Sequence, residues 1–125
     1  MKLKLKIIEG SFSICKVSNI NDIDLDEKFT FVSVTDEEIS LVCKTENIEE
    51  MNIETTKRDD GWKAFRIEGV LDFSLLGIIA HISKILAENK IGIFVVSTYN
   101  TDYVFVKEKS FNKAIKVLNE NKYIV

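Results

Sequence analysis

The chain has 125 residues and 14.3 kDa, with 46% hydrophobic and 30% charged side chains, which suits one compact unit or at most two small modules sharing a core. Its 17 basic and 20 acidic residues leave a net charge of −3, so the basic excess that dominates nucleic-acid binding is missing. No stretch approaches the roughly 20 apolar residues of a membrane helix, and no proline and only five glycines leave most turns to Asn, Asp and Ser.

The opening MKLKLKIIEG lacks the apolar run of a signal peptide, so a soluble cytoplasmic protein is expected, with neither membrane nor nucleic acid as partner. Leu3, Leu5 and Ile7 alternate with Lys4 and Lys6, the period-two pattern of a half-buried strand. Gly10 and Ser11 break it, and Phe12, Ile14 and Val17 continue as a second short extended piece. Residues 19–28 carry Asp22, Asp24, Asp26 and Glu27 and read as a loop. Residues 29–34 are β-rich, 35–38 make a turn, and Leu41, Val42 and Cys43 form a short apolar strand. Residues 45–52 suit a brief helix, weakened by Asn47 and Asn52. The charged run Arg58-Asp59-Asp60-Gly61 predicts a turn and the internal boundary.

The second half is more regular. Residues 62–70 form a strand. Leu75, Ile78, Ile79, Ile82, Ile85 and Leu86 recur at three- and four-residue steps, predicting an amphipathic helix over 74–88 with Ser74 as N-cap and Asn89-Lys90 as stop. Residues 91–98 make a strand, Tyr99-Asn100-Thr101 a turn, and 103–106 its antiparallel partner. Ser110 caps a second helix with Phe111, Ala114, Ile115 and Leu118 on one face, and 123–125 close the sheet. The order β-α-β-β-α-β predicts an α+β, ferredoxin-like fold with two helices on one face of a four-stranded antiparallel sheet.

A repeat runs beneath this order. Lys4 and Ile8-Glu9-Gly10 match Lys63 and Ile67-Glu68-Gly69 at an offset of 59, and FVSVTDEEISLVCK at 31–44 lies beside FVVSTYNTDYVFVK at 94–107 at an offset of 63. Two modules are therefore expected, a degenerate one at 1–60 and a complete one at 61–125. Where the second has its long helix, the first has an acidic loop.

Catalytic groups are scarce. His81, the single histidine, lies on the flank of the apolar stripe and reads as a boundary residue. No GxSxG, GxxxxGKS or GxGxxG is present, so neither a nucleophile, a phosphate cradle nor a cofactor is expected. Cys15 and Cys43 form no CxxC; a disulfide is open, with reduced thiols the reading adopted. Together with His81 they match no short zinc motif, so no metal is expected.

The run WKAFRIEGVLDFSLLGIIAHISKILAENKIGIFVVSTYNTDYVFVK at 62–107 resembles the ACT domains of the CASTOR-like family. It carries that family's Gly69-Val70-Leu71-Asp72-Phe73, its helix start at Ser74-Leu75-Leu76-Gly77-Ile78-Ile79, and its hairpin from Ile91 to Tyr103. The first half fits mainly at 35–42 (TDEEISLV). The resemblance implies two tandem ACT modules and regulatory binding of a small molecule, typically an amino acid, between side-by-side modules. Relatives include the regulatory domains of aspartate kinase and the CASTOR arginine sensors. No catalysis is implied; output would pass through a homodimer or a regulated partner protein.

A helix start after a strand offers unpaired N–H groups and partial positive charge, which suit a carboxylate. Phe73, Ser74, Leu76, Gly77 and Ile78 surround that start. Gly77 either admits a ligand or serves tight packing, and Asp72 either holds a ligand amino group or caps the helix. Val95, Val96, Ser97 and Thr98 offer backbone groups at a module interface. The turn adds Asn100 as a left-handed residue, Thr101, and Asp102 as either a turn-stabilising carboxylate or the partner of a cationic ligand group. An ACT-fold interaction module that has lost its ligand is the second reading.

Overall fold

Strand β1 (Leu3–Val17) is one 15-residue element rather than two pieces. Gly10 does not end it. Its φ of +99° permits a local bend that a side chain would oppose, and pairing continues beyond it, with Phe12 opposite Lys44 and Val17 opposite Ile39. The alternation also slips: Leu5 and Ile8 are buried while Ile7 is 43% exposed, so the expected Leu3, Leu5, Ile7 face stops at Leu5. The computed structural model describes residues 3–68, 77–121 and 123–125.

Antiparallel strands β2 (Phe31–Val34) and β3 (Ile39–Lys44) follow the acidic loop. The Thr35 hydroxyl closes their turn by accepting from the N–H groups of Glu37 and Glu38, at 3.2 and 3.1 Å. Helix α1 (Thr45–Met51) is ended by left-handed Asn52 (φ 53°), with Ile53 N–H donating to the Ile48 carbonyl at 3.1 Å. Strand β4 (Thr55–Ile67) runs straight through 58–61, where a turn was expected. The charges there satisfy one another: Arg58 Nε donates to Asp60 at 2.7 Å and Nη2 to Glu49 at 2.8 Å.

Helix α2 (Ile78–Glu88), strands β5 (Ile93–Ser97) and β6 (Asp102–Lys107), helix α3 (Glu108–Glu120) and strand β7 (Tyr123–Ile124) complete the order. Ile82, Ile85 and Leu86 are buried on α2, as the spacing predicts. The expected cap Ser74 lies outside the described residues; the position preceding α2 is Gly77, at φ +87°. Ser110 is not a cap. α3 begins two residues earlier, after Lys107 and without a side-chain cap, and Glu108 in its first turn complements the helix dipole. Val117 joins Phe111, Ala114 and Leu118 as a buried residue, while Ile115 is half-buried.

The chain divides into two compact units, Met1–Glu9 with Lys63–Val125, and Gly10–Trp62. Strands β1 and β4 each contribute to both. In the first unit the strand order is β7-β1-β4-β6-β5, so the expected four-stranded sheet holds five. The N-terminal segment sits between β7 and β4, with Leu3 opposite Tyr123 in a parallel pair and Glu68 N–H donating to the Lys4 carbonyl at 2.9 Å. The reason lies in burial: Leu5 joins Phe65, Ile67, Val104 and Val106 in the core that α2 and α3 cover. In the second unit the order is β2-β3-β1-β4, with a smaller core of Cys15, Val17, Leu41, Cys43 and Ile48. Its sequence β2-β3-α1-β4 repeats the element order β5-β6-α3-β7, and residues 18–30 carry no helix. No described helix is long and apolar enough to cross a membrane.

Candidate functional site

Alternation on β4 buries Phe65 and Ile67 under the helices, and places Arg66 and Glu68 on the other face of the sheet. The β5–β6 turn comes beside them. Its tip is held by the two threonines: Thr98 N–H and Oγ1 both donate to the Thr101 carbonyl, at 2.8 and 2.9 Å. Thr101 N–H returns to Thr98 Oγ1 at 3.4 Å, and its own hydroxyl donates to the Ile67 carbonyl at 2.5 Å. Asn100 is not among the residues with positive φ, contrary to expectation, because these side-chain bonds close the turn without a left-handed residue.

Between the turn and the end of β4 lies a cleft of about 290 Å³ lined by Arg66, Ile67, Glu68, Thr98, Asn100, Thr101 and Tyr103. Arg66 dominates its polarity. Nη1 donates to Tyr103 Oη and Nε to Glu68 Oε2, each at 3.2 Å, and the guanidinium carbon lies 5.9 Å from the Tyr103 ring centre. Those two bonds, Tyr103 first, raise the Arg66 pKa above its ordinary value, so its charge is permanent. The ion pair itself is partly open, with 25% and 35% of the two side chains exposed, and adds little stability.

Of the residues singled out in the sequence, Thr98, Asn100 and Thr101 line this cleft. Val95, Val96 and Ser97 lie on β5, where Ser97 Oγ donates to the buried carboxylate of Asp102 directly across the ladder. Asp102 thereby receives a neighbour's hydroxyl and does not line the cleft. Gly77 and Ile78 open α2 and do not line it either. A Cβ on Gly77 meets nothing within 4 Å among the described residues, and its φ of +87° is the feature there that favours glycine. Asp72, Phe73, Ser74 and Leu76 lie outside the described residues. Sequence reasoning missed Arg66, Glu68 and Tyr103, although the two-residue step from Arg66 to Glu68 already put both charges on one face of a strand.

The remaining candidates are structural. His81 Nδ1 shares a hydrogen bond with Tyr123 Oη at 2.5 Å, which ties α2 to β7. Cys15 and Cys43 are free thiols, both buried; burial pushes them up to about 11 and about 12, so neither is a nucleophile at neutral pH. No group of three or more metal-ligating side chains occurs among the described residues.

A family model described as ACT domain matches residues 57–120, which is half of the chain and takes in all seven residues that line the cleft. The chain belongs to the ACT domain family. A protein of known structure from Agrobacterium tumefaciens is 30% identical, with a TM-score of 0.84 over 99% of this chain and 92% of its own. The ligand-free regulatory subunit of aspartate kinase from Thermus thermophilus aligns at 12% identity and a TM-score of 0.60, over 93% of this chain and 95% of that one. Aspartate kinase from Clostridium acetobutylicum aligns at 14% identity and a TM-score of 0.65, over 94% of this chain and 34% of that enzyme. The last two share the fold. No curated protein matches. The α+β ACT fold with an antiparallel hairpin and covering helices agrees with the sequence reading.

Proposed function

We propose that this chain is a CASTOR-like tandem ACT protein that binds an amino acid and regulates a partner, or its own self-association, without catalysing a reaction. The observation that carries this reading is the cleft beside the β5–β6 turn, where a permanent cation, a carboxylate and an amide side chain converge in the ACT unit. The repeated element order β-β-α-β in the two halves supports a duplication, with a degenerate module at 1–60 and a complete one at 61–125. Ligand would act by binding one conformation or association state more tightly than another, in a protein we place in the cytoplasm.

Thermal unfolding of the full chain against the proteinogenic L-amino acids tests this. A ligand at about 100 times its dissociation constant adds about 2.7 kcal/mol of stability. A rise in melting temperature with at least one amino acid, absent with the others, is the expected result. Unchanged melting with every amino acid at millimolar concentration would overturn the reading. It would favour instead a pure assembly module, for which the helix-free segment 18–30 in the first half is the supporting feature.

A further inference from the structure

We infer that the Arg66–Glu68 ion pair is the receptor for the ligand's zwitterionic head group, Arg66 taking the carboxylate and Glu68 the ammonium. This rests on the reading of the cleft as the ligand site, and it follows from which polar groups there are already spent. The hydroxyl protons of Thr98 and Thr101 go to the Thr101 and Ile67 carbonyls, so these side chains offer lone pairs only. Arg66 uses two of its five N–H donors, one on Nε and one on Nη1. Both hydrogens of Nη2 and the second of Nη1 have no partner among the described residues, which leaves enough for a carboxylate. Glu68 accepts through Oε2, and its other carboxylate oxygen has no partner among the described residues. The Asn100 amide also has none, and it lines the same cleft.

The charges match as well as the donors. Arg66 and Glu68 sit two residues apart on one strand face and touch at 3.2 Å, so the cleft presents a plus and a minus side by side. A zwitterion lays its own minus and plus against them head to tail. A carboxylic acid without the amine brings its carboxylate beside Glu68 with no ammonium to offset the like charge, and an amine without the carboxylate brings its ammonium beside Arg66 with no carboxylate to offset it. Each mismatch adds an uncompensated like-charge contact, which gives selectivity for the intact head group. Tyr103 acts as a positioning residue: its hydroxyl accepts from Nη1 and its ring centre lies 5.9 Å from the guanidinium carbon.

Calorimetric titration of the full chain tests this directly, with the amino acid that raises the melting point most, its deaminated carboxylate, and its decarboxylated amine. Wild-type protein is expected to bind each analogue about tenfold or more weakly than the amino acid. Glu68→Gln should narrow the gap between amino acid and deaminated acid. Arg66→Gln should narrow the gap between amino acid and amine, and Arg66→Lys should weaken the amino acid while keeping that gap. Equal binding of the three compounds by wild-type protein overturns the inference. So does unaltered affinity in Arg66→Gln and Glu68→Gln variants that melt like wild type, and in both cases the sensor reading stands. No binding of any amino acid by wild-type protein overturns both together. Where a variant fails to fold, the three-compound series on wild-type protein still separates these outcomes.

Discussion

The Thr101 hydroxyl donates to the carbonyl of Ile67, 34 residues away, at 2.5 Å in a buried setting. This one bond joins the tip of the β5–β6 turn to the end of β4, and so sets the width of the cleft that Ile67 helps to line. Replacing Thr101 with Val keeps the shape but strands a buried carbonyl. The expected cost is about 1–3 kcal/mol by urea or thermal unfolding, with Thr101→Ser close to wild type. Ligand affinity should fall in Thr101→Val more than in a variant of equal stability loss made in the helices.

Lys90 follows α2 in the left-handed conformation, with φ 60°. Its N–H donates to the Ala87 carbonyl at 3.0 Å, and Ile91 N–H to the Leu86 carbonyl at 2.9 Å, which is the glycine-favouring Schellman stop. A lysine there bears a backbone cost that glycine avoids. Lys90→Gly is expected to stabilise the protein by about 0.5–1 kcal/mol, read as a rise in the urea midpoint at constant slope. Lys90→Val should destabilise it.

Ser13 is fully buried, and its hydroxyl lies 2.6 Å from Asp60 Oδ1 and 2.7 Å from Thr45 Oγ1. A hydroxyl carries one proton. Asp60 is the group that can only accept, so Ser13 donates to Asp60 and Thr45 donates to Ser13. Ser13→Ala removes the middle of this relay, which joins β1 to α1 and β4. The expected loss is about 1–3 kcal/mol, measured by chemical unfolding, with Ser13→Thr tested as the variant that retains the hydroxyl.

Alkaline stability should report the two thiols. Burial raises Cys15 from 9.0 to about 11 and Cys43 from 9.0 to about 12, with Cys15 nearby adding to the second. Below pH 9 both are protonated in folded and unfolded chains, and their full contribution is present. Between pH 9 and 11–12 the unfolded chain ionises first, so stability falls with rising pH, by roughly several kcal/mol in all. A Cys15→Ala/Cys43→Ala variant should show a flatter loss over this window. In the wild type, alkylation by iodoacetamide at pH 8 should proceed only as fast as the core opens.

Much of the fold was legible in the chain because its signals are local. The three- and four-residue steps of Ile78, Ile82, Ile85 and Leu86 announce α2 whatever surrounds it, and Asn89-Lys90 announces its end. Thr35 to Glu38 and Tyr99 to Thr101 carry their own turn chemistry, so both hairpins were expected where they occur. Local signals also misled. Gly10 reads as a strand break, yet a strand accepts a positive-φ glycine as a bend when both sides are paired. Arg58-Asp59-Asp60-Gly61 reads as a solvated turn, yet Arg58 finds Asp60 and Glu49 and the strand continues.

The cleft shows the division most sharply. Sequence alone determined that Tyr99, Asn100 and Thr101 turn the chain after a strand ending at Thr98, since asparagine between two β-rich runs favours a turn wherever it lies; that the two threonines close it was decided by the structure. Only the tertiary structure decided that Arg66 meets Tyr103 across 37 residues, that the N-terminal strand enters between β7 and β4, and that Ile7 faces out while Ile8 faces in. Strand pairing and register depend on which faces of distant segments can be buried together, and that quantity is a property of the packed chain rather than of any window along it.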